Sequence, residues 1–512
     1  MSRALRAAWA FGLAAAAAAI VCAAVVSATT LQVPAGGDLQ SALLNAQPGD
    51  TIVLTPGATY TGNFTLPDKG GSSFITLQTN PQGLPESGER ISPAEAPRLA
   101  KLRSPNGLPA LQTAPGAHHW RVVLVEFQSN AGGAGDIVAL GNGSSSQSTL
   151  IGIPNNLTID RCYIHGDPSQ GQKRGVALNS ASTTVTGSYI SDIKVVGQDS
   201  QAIGGWNGPG PFVITNNYLE AAGENIMFGG ADPAIPNLVP SDITIEQNTL
   251  AKPPAWRSQR WQVKNLLELK NARRVTIRSN TLEYVWVAAQ TGVAILFTGR
   301  NQDGLCPWCQ VEQVTFEGNT VRHGGAGVQI LGYDDGHPSQ QTRAITIRNN
   351  LFDDIDPQNW GGNGYFLQLV SGPRDIVVDH NTVIQDHAGG ILFADGGPVL
   401  GFTFTNNLIR HGAYGIMGSN RAPGNDAIGA YLPASLINSN VIAEGDASRY
   451  PPGNQFPTLS LFISQFISYG ADFRLVPASP WRHAGTDGSS LGSSTNEAPP
   501  ALPPAPPEVP ER

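Results

Sequence analysis

The sequence predicts one all-β domain, a right-handed parallel β-helix of about twelve coils with a short helix closing its N-terminal end. Three observations lead there: an apolar phrase that recurs with Asn at one fixed place, a composition rich in turn formers, and no helical periodicity between the copies. Of 512 residues 59 are Gly and 39 are Pro, and only 14% are charged. Such a balance suits many short strands joined by turns better than a helical solenoid. Repeat folds lengthen along one axis, so the chain length does not demand several domains.

The recurring phrase reads apolar, x, apolar, two residues, Asn, x, apolar. It stands at Phe212–Leu219, Ile243–Leu250, Val275–Leu282, Val314–Val321, Ile345–Phe352, Ile376–Val383 and Phe402–Ile409. Weaker copies put Cys162, Ser188 and Asn440 at the Asn place, and successive copies lie 26 to 39 residues apart. Alternation inside the phrase has period 2, so each copy is a strand with one buried face. Asn at a fixed place suggests a turn position that tolerates the left-handed region. Stacked copies would also link their amides into a ladder. Between copies lies a second apolar phrase, as in Glu224–Gly230, Val293–Gly299 and Gly390–Gly396. Leucine-rich repeats have tighter spacing and a Leu pattern missing here, and propeller blades need antiparallel hairpins with tight turns.

At the N-terminal end, Asp38 is placed to cap a short helix whose Leu39, Ala42, Leu43 and Ala46 share one face. The following stretch Gly49–Leu66, GDTIVLTPGATYTGNFTL, resembles the first coil of the pectate-lyase-like superfamily. FRLVPASPWRHAGTDG, Phe473–Gly488, is similar to the last coil of many such proteins. The expected boundaries are an export signal over residues 1–28, the β-helix over 29–492, and a Pro-rich disordered tail over 493–512.

Arg3 and Arg6 precede an Ala-rich apolar run, and Val26-Ser27-Ala28 offers small residues for cleavage. The expected location is therefore secreted, periplasmic or cell-surface, with an uncleaved anchor as the competing reading. No membrane span is expected after cleavage, and a monomer is expected. The formal charge, 31 − 39 = −8, gives no basic footprint for nucleic acid. Cys306 and Cys309 lack the βαβ context of a redox dithiol and a second ligand pair for zinc. A structural staple in a surface loop is expected of them, and a buried core thiol of Cys162.

Polar residues concentrate in Lys264–Arg274 and one coil to either side. Glu268 and Lys270 alternate with Leu267 and Leu269, so both should project outward. Arg300 follows one coil later, Glu224 and Asn225 lie one coil earlier, and Asp334 and Asp335 lie one coil beyond. Such a set suits β-elimination on a uronate, which needs a base and positive charge on the substrate carboxylate. The arrangement resembles the alginate and chondroitin lyase family of this fold, in which a Lys base on one coil faces an Arg acid on the next. That resemblance implies Lys270 and Arg300 as catalytic residues and an acidic polysaccharide as partner. It also implies calcium near Glu224, Asn225 and Glu268, a set short of the six to eight oxygens calcium takes. Glu224, Asn225, Glu268, Trp261 and Asp334 are the expected substrate contacts, Trp261 because indoles form flat platforms for sugar rings. A non-catalytic carbohydrate-binding or adhesive rod is the alternative. A glycoside hydrolase using Asp334, Asp335 and Asp395 is a third reading, set against the frequency of Asp-Gly turns.

Overall fold

The computed structural model describes residues 28–494. Each coil contributes up to three short strands. They stack into parallel sheets of fourteen, thirteen and twelve strands, taken here as first, second and third in chain order within a coil. The twelve-stranded sheet matches the expected coil number, and the other two add one and two strands. The recurring phrase is the first-sheet strand, the bend after it and the start of the second-sheet strand, as in Ser241–Glu246 followed by Thr249–Ala251. The second apolar phrase is the third-sheet strand, such as Glu224–Phe228.

Period-2 alternation sends one face of every strand inward. In the first sheet Ile214, Ile245, Ile277, Phe316, Ile347, Val378 and Phe404 are paired in sequence from coil to coil. All are shielded from solvent in one continuous core. The helix Leu39–Asn45 is capped by the Asp38 carboxylate, which accepts from Ser41 N at 2.9 Å. Its Leu39 and Leu43 join that same core.

The Asn column forms as expected, but not for the backbone reason. The left-handed residue is the one before each Asn: Asn216, Gln247, Ser279, Asn349 and His380 have φ between 51° and 56°. The Asn itself follows in the interior. Asn248 Nδ2 donates to Asn280 Oδ1 at 3.0 Å and to Ile214 O at 2.8 Å, while its N–H reaches Asn280 Oδ1 at 2.9 Å. The same links join Asn217 to Asn248, Asn280 to Asn319, Asn319 to Asn350, Asn350 to Asn381, and onward to Asn407 and Asn440. Ser188 and Cys162 occupy the earlier places, and burial pushes the Cys162 thiol up to about 12.

Cys306 and Cys309 form the expected staple, disulfide-bonded with Cα atoms 5.3 Å apart and both fully buried beneath their exposed loop. Asp232 receives the Asp303 and Leu305 N–H groups there and fixes the loop to an earlier coil. At the other end, Ser493 N donates to Thr382 Oγ1 and Ser494 N to Asn349 Oδ1, so the folded body runs past residue 492. Residues 1–27, on which the expected export signal falls, and residues 495–512 of the expected tail lie outside the described residues.

Candidate functional site

The expected site residues gather around the third sheet. Leu267 and Leu269 enter the core and Glu268 and Lys270 turn away from it, but Glu268 is buried rather than open to a substrate, with Lys270 Nζ 3.7 Å from its Oε1. Neighbours fill the other positions around Glu268: Asn265 Nδ2 donates at 3.1 Å and Thr298 Oγ1 at 3.3 Å. Arg300 lies on the next coil, its N–H bonded to Lys270 O at 2.8 Å. The two expected catalytic residues are therefore backbone neighbours. Their side chains hold different partners.

Arg300 is fixed through one nitrogen. Nη1 donates to Asp334 Oδ1 at 2.7 Å and also to Asp335, and these carboxylates more than offset burial, holding the guanidinium above its ordinary range. No acceptor for its Nε or Nη2 occurs among the described residues, and the side chain is 31% exposed. That edge can take a carboxylate with two parallel bonds. Asp334 is not the substrate contact expected. Its oxygens accept from Arg300, Asn301 N and Gly336 N, and these bonds outweigh burial to hold its carboxyl below the usual range. Asp334 positions Arg300.

Glu224 and Asn225 also depart from expectation. Two successive N–H groups, of Asn225 and Ile226, both reach Leu266 O at the corner between the second and third sheets. The alternation is interrupted there, and Asn225 sits inside, donating to Leu219 O at 2.7 Å and Ala251 O at 2.8 Å. Its Oδ1 receives Lys252 Nζ, which also donates to Ala221, Ala222 and Gly223 carbonyls. Asn225 is a buried structural amide rather than a groove residue. Glu224 is also closed off from solvent. It accepts from Gln201 at 2.8 Å and lies 3.6 Å from Lys264 Nζ. Burial, with repulsion from Glu268 and Asp199, pushes its carboxyl up to about 7.

Sequence reading passed over Lys264 and Asn265. Lys264 bridges Asp199 at 2.6 Å and Glu224, and the pull of these carboxylates outweighs burial to raise its pKa. Glu224 Oε1 and Asn265 Oδ1 are buried without hydrogen-bond donors among the described residues. Each glutamate already has an ammonium within 3.7 Å, Lys264 for Glu224 and Lys270 for Glu268. Two cations and a short oxygen set do not fit calcium.

Trp261 belongs to a separate feature. Trp256, Trp261 and Trp286 cluster with Ala222 and Val263 beneath the loops that join the second sheet to the third. They form one side of a recess of about 360 Å³, completed by Arg257, Gln259 and the stretch Pro357–Gly361.

The model of the right-handed beta helix region matches residues 264–430. No curated protein matches the sequence. Among solved structures, the PL6 family alginate lyase AlyGC superposes with a TM-score of 0.55 and 14% identity, over 93% of this chain and 59% of that one. The chain thus spans under two thirds of that lyase's length. A mannuronic acid specific polysaccharide family 6 lyase from human gut microbiota gives 0.49 at 14% identity, over 83% and 91% of the two chains. The catalytic unit of a GH87 alpha-1,3-glucanase from Streptomyces thermodiastaticus strain HF3-3 gives 0.47 at 13%, over 84% and 70%. The superposition on AlyGC and the family model show the fold alone, a right-handed parallel β-helix.

Proposed function

We propose that this protein is an exported, carbohydrate-active β-helix that cleaves an acidic polysaccharide by β-elimination at Lys270 and Arg300. The observation that carries the reading is the Arg300 guanidinium, held through Nη1 by two aspartates with no acceptor among the described residues on its Nε or Nη2, on a residue whose N–H bonds Lys270 O. A uronate carboxylate gripped there would have its developing negative charge neutralised as the α-proton leaves. Lys270, after releasing a proton to solvent, takes the α-proton as base. A C=C bond forms as the C–O bond to the leaving sugar breaks, and the ammonium then returns the proton to the leaving oxygen. Arg300, kept firmly cationic by its aspartates, stabilises charge and does not donate a proton.

A screen of mannuronate, guluronate, galacturonate and chondroitin polymers, followed at the ultraviolet band of the unsaturated product, tests the proposal. Absorbance should rise with wild type and stay flat with Lys270→Ala. A second reading, polysaccharide binding without cleavage, is favoured by one observation: Lys270 and Arg300 each already face a carboxylate of their own chain. Retained binding with no product from any polymer would select it.

A further inference from the structure

The loops between the second and third sheets carry four tryptophans that lie far apart in sequence and converge in space. Trp256 and Trp261 come from one coil, Trp286 from the next, and Trp360 from two coils further on. Trp256, Trp261 and Trp286 pack with one another as a buried cluster, and the partly buried Trp360 lies against it. A recess of about 360 Å³ stays open between them, within the range of sites that take small ligands. Trp256, Trp286 and Trp261, at 4%, 5% and 8% exposed, make its floor, and the half-buried Trp360 makes a wall.

That wall is held in place. Asp354 accepts from Trp360 Nε1 at 2.7 Å and from His323 Nδ1 at 2.8 Å, and the imidazole stacks on Tyr284 at 4.7 Å. The Arg257 guanidinium lies 5.0 Å from the Trp360 ring and donates to Asn359 O at 2.8 Å. Arg260 lies 5.7 Å from the Trp261 ring. No acidic side chain lines the recess, although the whole chain carries a net charge of −8. A concavity with aromatic floor and wall, one arginine, Arg257, in its lining, and the amides of Gln259, Gln358 and Asn359 has a specific complement. Aromatic faces suit the apolar C–H face of a pyranose, amides suit its hydroxyls, and guanidinium suits a carboxylate.

We propose that this recess is a binding subsite for a uronate ring, remote from the reacting bond and gripping the same polysaccharide chain. The inference rests on the polysaccharide reading but not on the chemistry assigned to Lys270. Position supports it. The chain leaving the recess at Trp261 runs directly through Lys264 into the strand Leu267–Leu269, which ends beside Lys270. A polymer lying along that segment would meet both places.

The experiment uses the full chain carrying Lys270→Ala, so that no probe is cut. Hexasaccharides of mannuronate, guluronate and galacturonate, and a neutral glucan hexasaccharide, are titrated by calorimetry and by intrinsic tryptophan fluorescence. At least one uronate probe should give saturable binding with a fluorescence change, and the neutral probe should bind at least tenfold more weakly. Arg257→Ala and Trp360→Ala should each weaken the uronate at least tenfold. Trp360→Phe, which keeps an aromatic wall, should recover part of the loss and guards against a folding defect in the alanine variant. No uronate binding, equal binding of the neutral probe, or unchanged affinity in Arg257→Ala would overturn the proposal. Binding that depends on Arg257 in a protein whose Lys270 form releases no product would sink the lyase reading and leave the subsite standing. Product formation with affinity indifferent to Arg257 would do the reverse.

Discussion

Arg300 and Glu224 show how burial assigns different work to charges two coils apart. Arg300 is partly exposed and oriented by Asp334, so replacing it with Lys should remove the bidentate edge while keeping the charge. Turnover of the responsive polymer should fall about a hundredfold in Arg300→Lys, with Lys270→Ala losing at least that much, as general-base deletions do. Steady-state rates at equal thermal stability check both. Glu224 is sealed, and its folded pKa, about 7, lies above its ordinary value of 4.5. A raised carboxyl contributes stability below its unfolded pKa and loses it as pH rises through the folded one. Wild type should therefore weaken relative to Glu224→Gln between pH 4.5 and about 7.5, by up to ~3 kcal/mol. Denaturant melts at several pH values would show the two curves diverging, and parallel curves would refute the assignment.

At the scale of strand and turn, the Asn column is the most demanding element. Asn280 Oδ1 accepts from the N–H and Nδ2 of Asn248, while its own amide serves Asn319 and Ile245 O. Asn280→Ala would strand buried donors and acceptors on both neighbouring coils, each costing about 1–3 kcal/mol. A loss of at least about 2 kcal/mol by urea unfolding is expected, and an unchanged midpoint would mean that water replaces the amide. This column was legible in the sequence because alternation and the Asn place repeat in register, and local pattern is what sequence carries. Asn225 turns inward because two successive N–H groups converge on Leu266 O where the second sheet bends into the third, and alternation says nothing about a corner. Lys264 and Asn265 were overlooked because their contacts are with Asp199, Gln290 and Glu224, supplied by other coils whose loops have no common length. The tryptophan recess was hidden for the same reason: Trp261 and Trp360 are neighbours across loops about a hundred residues apart.

Over the whole molecule, a stack in which each coil touches only the next should melt locally unless something ties several coils together. The C-terminal segment provides such a tie. Trp481 is buried with Leu351, Ile384, Leu408 and Val441, which come from four successive coils. Its indole donates to Gln455 Oε1 at 3.0 Å and packs 5.7 Å from the Phe462 ring. Beyond it, Gly492 N bonds Asn406 O, Ser493 N bonds Thr382 Oγ1, and Ser489 Oγ meets His380 Nε2 at 2.7 Å. Trp481→Ala removes the largest side chain of that cluster, and a buried Trp-to-Ala change costs about 3–5 kcal/mol. In a solenoid the loss need not be shared equally. Hydrogen exchange should accelerate first in the strands Leu351–Ile355, Thr382–Val383 and Leu408–Arg410, which the segment covers. Strands such as Asn155–Asp160 and Ala181–Thr186, many coils away, should keep wild-type protection at the same temperature. Uniform acceleration from end to end would instead mean that the sheets unfold as one cooperative unit, with coupling that reaches well beyond adjacent coils.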